Sequence, residues 1–150
     1  KNFKVFLVGR NTNSNDIYKI INKHSLKDFV ECVGYTKNVL CYLKKSNIFV
    51  FPSLWDEGCP TSIIEAMSCE LPIVAFSIDG IPELITNEEE GFLINERNYS
   101  LFLKKLSLLV ENKKLGEIMG SKGAKRVAND FSLTRCSGLH AKVFKARHEL

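Results

Sequence analysis

Lys4–Gly9 (KVFLVG) is an unbroken apolar run that stops at a glycine, and four more short apolar runs follow before residue 95. Longer amphipathic stretches separate them. A strand can be apolar at every position only if both of its faces are covered, the condition met by parallel sheets whose crossovers are helices. Strand–helix alternation of this kind therefore constrains the chain to an α/β fold with a parallel sheet and helices on both faces.

The remaining runs are Phe29–Gly34, Asn47–Pro52, Pro72–Phe76 and Gly91–Ile94, with Pro72 at a first-residue position that a strand tolerates. Ser14 or Asp16 is expected to cap a helix that carries Ile17, Ile20 and Ile21 on one face and ends near Ser25. Asn38–Lys45 and Thr61–Ser68 are predicted helices, and a short helix is expected after Gly80-Ile81-Pro82. Three more close the chain: Ser100–Glu111, Lys114–Asn129 and Leu133–His148. In the first of these, Phe102, Leu103, Leu106, Leu109 and Val110 recur at helical spacing and are expected to form a core face. Ser132 is a good cap for the last. No repeat, low-complexity tract or linker interrupts the pattern, and the reading is one Rossmann-like domain over 1–150.

Composition removes several classes. With 45% hydrophobic and 25% charged residues, the chain has an ordinary globular balance rather than a disordered one. It has no apolar run of about 18 residues to cross a membrane, and its first residues are too short an apolar stretch for a signal peptide. Cys32, Cys41, Cys59, Cys69 and Cys136 are odd in number and lack C-x-x-C spacing. They are read as reduced thiols in a cytoplasmic protein, with no metal site. Net charge is +4, yet its distribution is uneven. Residues 51–100 hold ten acidic side chains and one basic, between two basic thirds. That acidic block breaks the continuous basic stripe a nucleic-acid surface needs. The C-terminal lysines are read as solvated helix faces, with peripheral contact to an anionic membrane as a secondary expectation.

In open parallel sheets ligands bind beyond the carboxyl ends of the strands. The loop after Pro52 stands out: it holds the only tryptophan, Trp55, and two adjacent acids, Asp56 and Glu57, before opening a helix at Thr61-Ser62. Free backbone N–H groups and the helix dipole there favour an anion such as phosphate. Gly58 allows close approach of the backbone. Glu65 lies eight residues after Glu57, about two turns by helical period. Trp55 is expected to anchor the loop. His24, His140 and His148 are scattered and are given no role. The sequence lacks D-x-D, G-x-x-x-x-G-K-[ST] and G-x-S-x-G, which argues against metal-dependent GT-A transferases, P-loop enzymes and α/β-hydrolases.

The stretch Glu57-Gly58-Cys59-Pro60-Thr61-Ser62-Ile63-Ile64-Glu65-Ala66-Met67, continuing through Cys69-Glu70-Leu71-Pro72-Ile73-Val74-Ala75, resembles the signature of group 1 (family 4) glycosyltransferases. Phe51-Pro52-Ser53, Asp79-Gly80-Ile81-Pro82-Glu83, Gly91-Phe92-Leu93-Ile94 and Asp130-Phe131-Ser132 fall where that family expects them. The resemblance implies the C-terminal, donor-nucleotide half of a retaining GT-B enzyme that uses a UDP- or GDP-sugar and needs no metal or other cofactor. It implies that Glu57 holds hydroxyls of the transferred sugar at the catalytic centre, without acting as nucleophile. Glu65 would accept the two ribose hydroxyls, a charge-assisted pair of bonds. Thr61 and Ser62 would meet the diphosphate through their amides, Gly58 and Cys59 would line the sugar side, and Tyr35 would touch the nucleobase. The acceptor would be a glycan or lipid-linked hydroxyl, in polysaccharide, lipopolysaccharide or glycolipid synthesis.

Two departures from the family pattern accompany the match. Glu70 stands where the family has Gly at the close of a helix, a change expected to tax stability more than function. The family's preceding strand–helix unit, which carries an Arg and a Lys facing the diphosphate, and the N-terminal acceptor domain are expected to be missing. Arg10 does not match that basic pattern. Two alternative functions follow: a non-catalytic nucleotide-sugar-binding module that needs a partner chain, and a sugar-nucleotide epimerase-like or dinucleotide-binding Rossmann domain. Gly9-Arg10-Asn11 does not supply the G-x-G-x-x-G of the dinucleotide binder.

Overall fold

The computed structural model describes residues 3–55 and 58–146, which divide between two compact units that part after Lys45. In the first unit the apolar run after Lys4 becomes strand β1 (Val5–Val8), followed by helix α1 (Asn15–Lys23), strand β2 (Val30–Gly34) and one turn of helix, α2 (Leu40–Leu43). β1 and β2 pair in parallel, Val5 opposite Val30 and Leu7 opposite Cys32, with an irregularity before Val8 meets Gly34. Ser14 sits at the N-cap of α1 in extended backbone, and Ile21 and Leu43 are buried. Ile20, expected on the core face with Ile17 and Ile21, is instead exposed. A helix this short buries a narrow stripe, and Ile20 falls off its edge. Phe6 meets Tyr42 edge-on, with ring centroids 5.5 Å apart, which ties β1 to α2.

The second unit runs β3 (Phe49–Phe51), α3 (Thr61–Ser68), β4 (Ile73–Phe76), α4 (Ile81–Leu84), β5 (Gly91–Ile94), α5 (Tyr99–Glu111), α6 (Lys113–Asp130) and α7 (Leu133–Ala146). Its three strands lie in the order β3-β4-β5, all parallel. Ile73, Val74, Ala75 and Phe76 of the central strand are all fully buried. Because successive strand residues point to opposite faces, both faces of β4 are covered. Ile63 and Met67 of α3, Phe102 and Leu109 of α5, and Met119 of α6 complete the same core. Phe76 carries Phe102 and Tyr99 against it, at 4.8 and 5.6 Å between ring centroids.

Element ends differ from the sequence reading by one or two residues, as helix ends do. The core face of α5 is narrower than its apolar pattern: Leu103 and Val110 are exposed while Phe102 and Leu109 are buried. Ser132 accepts the Arg135 N–H at 3.4 Å, the capping role expected of it. Its helix is described to Ala146, and the predicted end at His148 lies outside the described residues. Among the described residues, no helix is long and apolar enough to cross a membrane, and all five cysteines are free.

A polar clamp fixes the β4–β5 connection. Glu90, only 7% exposed, accepts the Thr86 N–H at 2.7 Å and faces the Arg126 guanidinium at 3.3 Å. Arg126 also donates to the Thr86 hydroxyl at 2.6 Å and to the Glu83 carbonyl at 2.9 Å. Lys105 pairs with Glu88 at 3.0 Å, and Lys122 pairs with Glu89. The Glu88-Glu89-Glu90 run is thus tied, residue by residue, to α5 and α6.

Candidate functional site

The segment between β3 and α3 is the site the sequence singled out, and the local chemistry of α3 accounts for its form. Its N-cap is Pro60, which has no side chain able to accept a hydrogen bond from the first turn. Ile63 donates to the Pro60 carbonyl at 3.0 Å, whereas the N–H groups of Thr61 and Ser62 donate to no described residue. Two amide donors therefore point out of the positive end of an eight-residue helix, an arrangement suited to an anion. Gly58 and Cys59 lead into that end and are exposed, and a Cβ at Gly58 would meet nothing within 4 Å.

Glu65 lies one turn further on. α3 buries Ile63, Ala66 and Met67 against the sheet, which leaves Thr61 and Glu65, four residues apart, on its solvent side. At 1.5 Å per residue Glu65 is about 6 Å along the axis from Thr61. Its carboxylate has no hydrogen bond or ion pair to any described residue. α3 starts at Thr61 and residues 58–60 before it are not helical, so the two-turn helical spacing expected from Glu57 to Glu65 is not carried by one helix. Glu57 and Asp56 lie outside the described residues. Trp55 is 81% exposed, which overturns its expected role as a packed loop anchor.

The C-terminal end of α3 behaves as the substitution at Glu70 implied. Cys69 is the C-cap, and Glu70 follows with φ +59°, the left-handed conformation that Gly adopts without penalty.

Tyr35, the remaining residue of the expected donor site, belongs to the first unit. It is the first residue past the carboxyl end of β2 and is 66% exposed. The Arg10 guanidinium sits over its ring, 5.7 Å from the centroid. Sequence reasoning set Arg10 aside as unmatched. The available signal was that Arg10 and Tyr35 each directly follow a glycine that closes an apolar run. Among the described residues no group of three or more His, Cys, Asp or Glu is arranged to hold a metal.

The family model of group 1 glycosyl transferases matches residues 1–126. The chain is 33% identical over 130 residues to the UDP-Gal:alpha-D-GlcNAc-diphosphoundecaprenol alpha-1,3-galactosyltransferase of Escherichia coli, covering 86% of this chain and 33% of that protein. Among solved structures, Anabaena HepE in complex with UDP-glucose superposes with a TM-score of 0.86 at 18% identity, over 95% of this chain and 41% of HepE. TarM superposes with a TM-score of 0.83 at 30% identity, over 93% of this chain and 28% of TarM. The GT-B-type α/β architecture expected from the sequence is the one these structures share. The chain spans about a third of the length of the curated relatives it matches.

Proposed function

We infer the function from one premise: this chain belongs to the group 1 glycosyl transferases. It is the donor-binding part of a retaining glycosyltransferase, taking a UDP- or GDP-linked sugar and serving transfer of the glycosyl group to a hydroxyl of a glycan or lipid-linked acceptor. The observation that carries this reading is the start of α3, where the Thr61 and Ser62 amides and the Glu65 carboxylate, none with a partner among the described residues, share the first turns of one helix.

The chemistry follows from those groups. The diphosphate takes the Thr61 and Ser62 N–H donors at the positive end of the helix dipole. Negative charge grows on the diphosphate as the glycosyl bond breaks, so donors already aimed at it stabilise the transition state without reorganising. Glu65, one turn along, accepts the ribose hydroxyls, and each such bond is strengthened by the carboxylate charge. Glu57 holds hydroxyls of the sugar, and Gly58 and Cys59 flank it. Tyr35 meets the base. With the helix amides facing the phosphates, the reading needs no metal ion. Acceptor recognition and closure over the donor fall to a further domain, and the protein works at the cytoplasmic side of the membrane. The names of relatives favour acceptors of surface polysaccharide synthesis: one is a capsular polysaccharide glycosyltransferase of Staphylococcus aureus.

Calorimetric titration with UDP, GDP and NAD tests the donor class. Binding of UDP or GDP with no response to NAD is expected; tight NAD binding without either nucleoside diphosphate would overturn the reading.

A further inference from the structure

We propose that helix α7 is a docking surface for an anionic lipid bilayer, its apolar side entering the headgroup boundary and its lysines drawn to the lipid charge. The proposal goes beyond the donor-site reading and uses none of the groups of that site.

Its ground is how little of α7 the rest of the unit covers. From Leu133 to Lys145, Cys136 is half-buried and every other residue is exposed. Leu133, Leu139, Val143 and Phe144 are each at least half exposed. At about 100° per residue, these four and Cys136 fall within an arc of about 140°. His140 is the one polar residue inside that arc, and an imidazole combines an apolar body with a polar tip. Arg135, Lys142 and Lys145 lie together on the other side, across about 80°. Arg135 faces Asp130 at 3.8 Å, while Lys142 and Lys145 pair with no described residue. Between Leu133 and Ala146 the helix contains no acidic residue.

That charge pattern selects the occupant. An apolar stripe backed by cations and free of acids suits a helix lying in the plane of an anionic membrane. A second copy of the chain would meet α7 with the same cations and no acid to balance them. With its side chains the helix is about 10–12 Å across. Cations on its outer side therefore stay near one Debye length, about 8–10 Å, from the headgroups. Burial of the apolar side favours any bilayer, and the cations add the preference for an anionic one.

The test is flotation of the full chain with vesicles of phosphatidylcholine alone and of equimolar phosphatidylcholine and phosphatidylglycerol. It compares wild type, Val143→Ser/Phe144→Ser, Lys142→Gln/Lys145→Gln and, as a control of equal charge loss elsewhere, Lys104→Gln/Lys114→Gln. Wild type is expected to bind the anionic vesicles more tightly than the neutral ones, and less so in high salt. Val143→Ser/Phe144→Ser should weaken that binding by about tenfold or more. Lys142→Gln/Lys145→Gln should weaken it by about fivefold or more, and only on anionic vesicles. The control should bind as wild type does. Circular dichroism checks folding, and the Lys142→Gln/Lys145→Gln variant, which removes no apolar contact, decides if the serine variant unfolds. No binding of wild type to anionic vesicles, or equal binding to both kinds, would overturn the proposal. So would an equal loss in the control, which would reduce the effect to net charge. None of these outcomes bears on the donor site, which the nucleotide titration tests separately.

Discussion

The carbonyl oxygen of Glu70 occupies the space that a side chain on Gly120 would need: a Cβ built on Gly120 would lie 1.9 Å from it. Helix α6 therefore approaches the end of α3 backbone to backbone. Gly123, one turn on, faces the Met67 side chain less closely, its Cβ position at an ordinary contact distance of 3.4 Å. The contact fixes α6 against the helix that carries Thr61, Ser62 and Glu65.

Gly120→Ala is accordingly expected to destabilise the fold, because the obstructing atom is backbone and cannot swing aside. Overpacking of this kind costs about 1–3 kcal/mol, which outweighs the roughly 1 kcal/mol that alanine gains over glycine inside a helix. Glu70→Gly should act in the opposite direction, by relieving the left-handed strain at φ +59°. Its net gain is about 0.5 kcal/mol, since glycine also raises the entropy of the unfolded chain. Urea midpoints of the two variants, measured against wild type at constant slope, check both signs.

The Glu90 clamp gives a second stability prediction. Arg126→Met removes the cation facing a carboxylate that is only 7% exposed. Glu90 keeps its bond from the Thr86 N–H, so the loss falls short of a fully orphaned charge. The expected cost is about 1–3 kcal/mol. Arg126→Met/Glu90→Gln should cost less than the sum of the two single changes, because they share one interaction. Thermal or urea unfolding of the four proteins measures the coupling.

Two glutamates should divide the donor between them. Glu65→Ala is expected to weaken UDP and UDP-sugar alike, by about 1.5–3 kcal/mol, the worth of hydrogen bonds to a charged group. Glu57→Ala should weaken UDP-sugar and leave UDP unchanged or slightly tighter, as a negative charge near the phosphates is removed. The ratio of UDP-sugar to UDP affinity in each variant is the measurement. An unchanged ratio in Glu57→Ala, with unchanged UDP affinity in Glu65→Ala, would show that the pair is not a donor site, since exposed substitutions seldom matter.

Catalysis gives the last prediction. The 150-residue chain on its own should bind donor but not turn it over, because water exclusion and closure need a second domain. Release of nucleotide from a labelled UDP-sugar, with and without candidate hydroxyl acceptors, is the assay. Transfer at ordinary enzymatic rates by this chain alone would refute it.

Local pattern sufficed to determine the order and type of the elements. The unbroken runs at Val5–Val8 and Ile73–Phe76 could be read as strands, and Thr61–Ser68 as a helix with an open N-terminus, because these depend on neighbours a few residues away. Glu70 could be read as strained for the same reason: the end of a helix imposes its own backbone angle. Tertiary structure decided which apolar residues count. Leu103 and Val110 fit the period of α5 as well as Phe102 and Leu109 do, and only the way α5 packs on its neighbours, with Phe76 against Phe102, separates buried from exposed. It also decided every relationship between distant positions: Gly120 against Glu70, Arg126 reaching Glu90, and the Gly9–Gly34 bond that sets Arg10 over Tyr35. Periodicity records how a segment faces a core; which atoms it meets there depends on where the remaining elements pack.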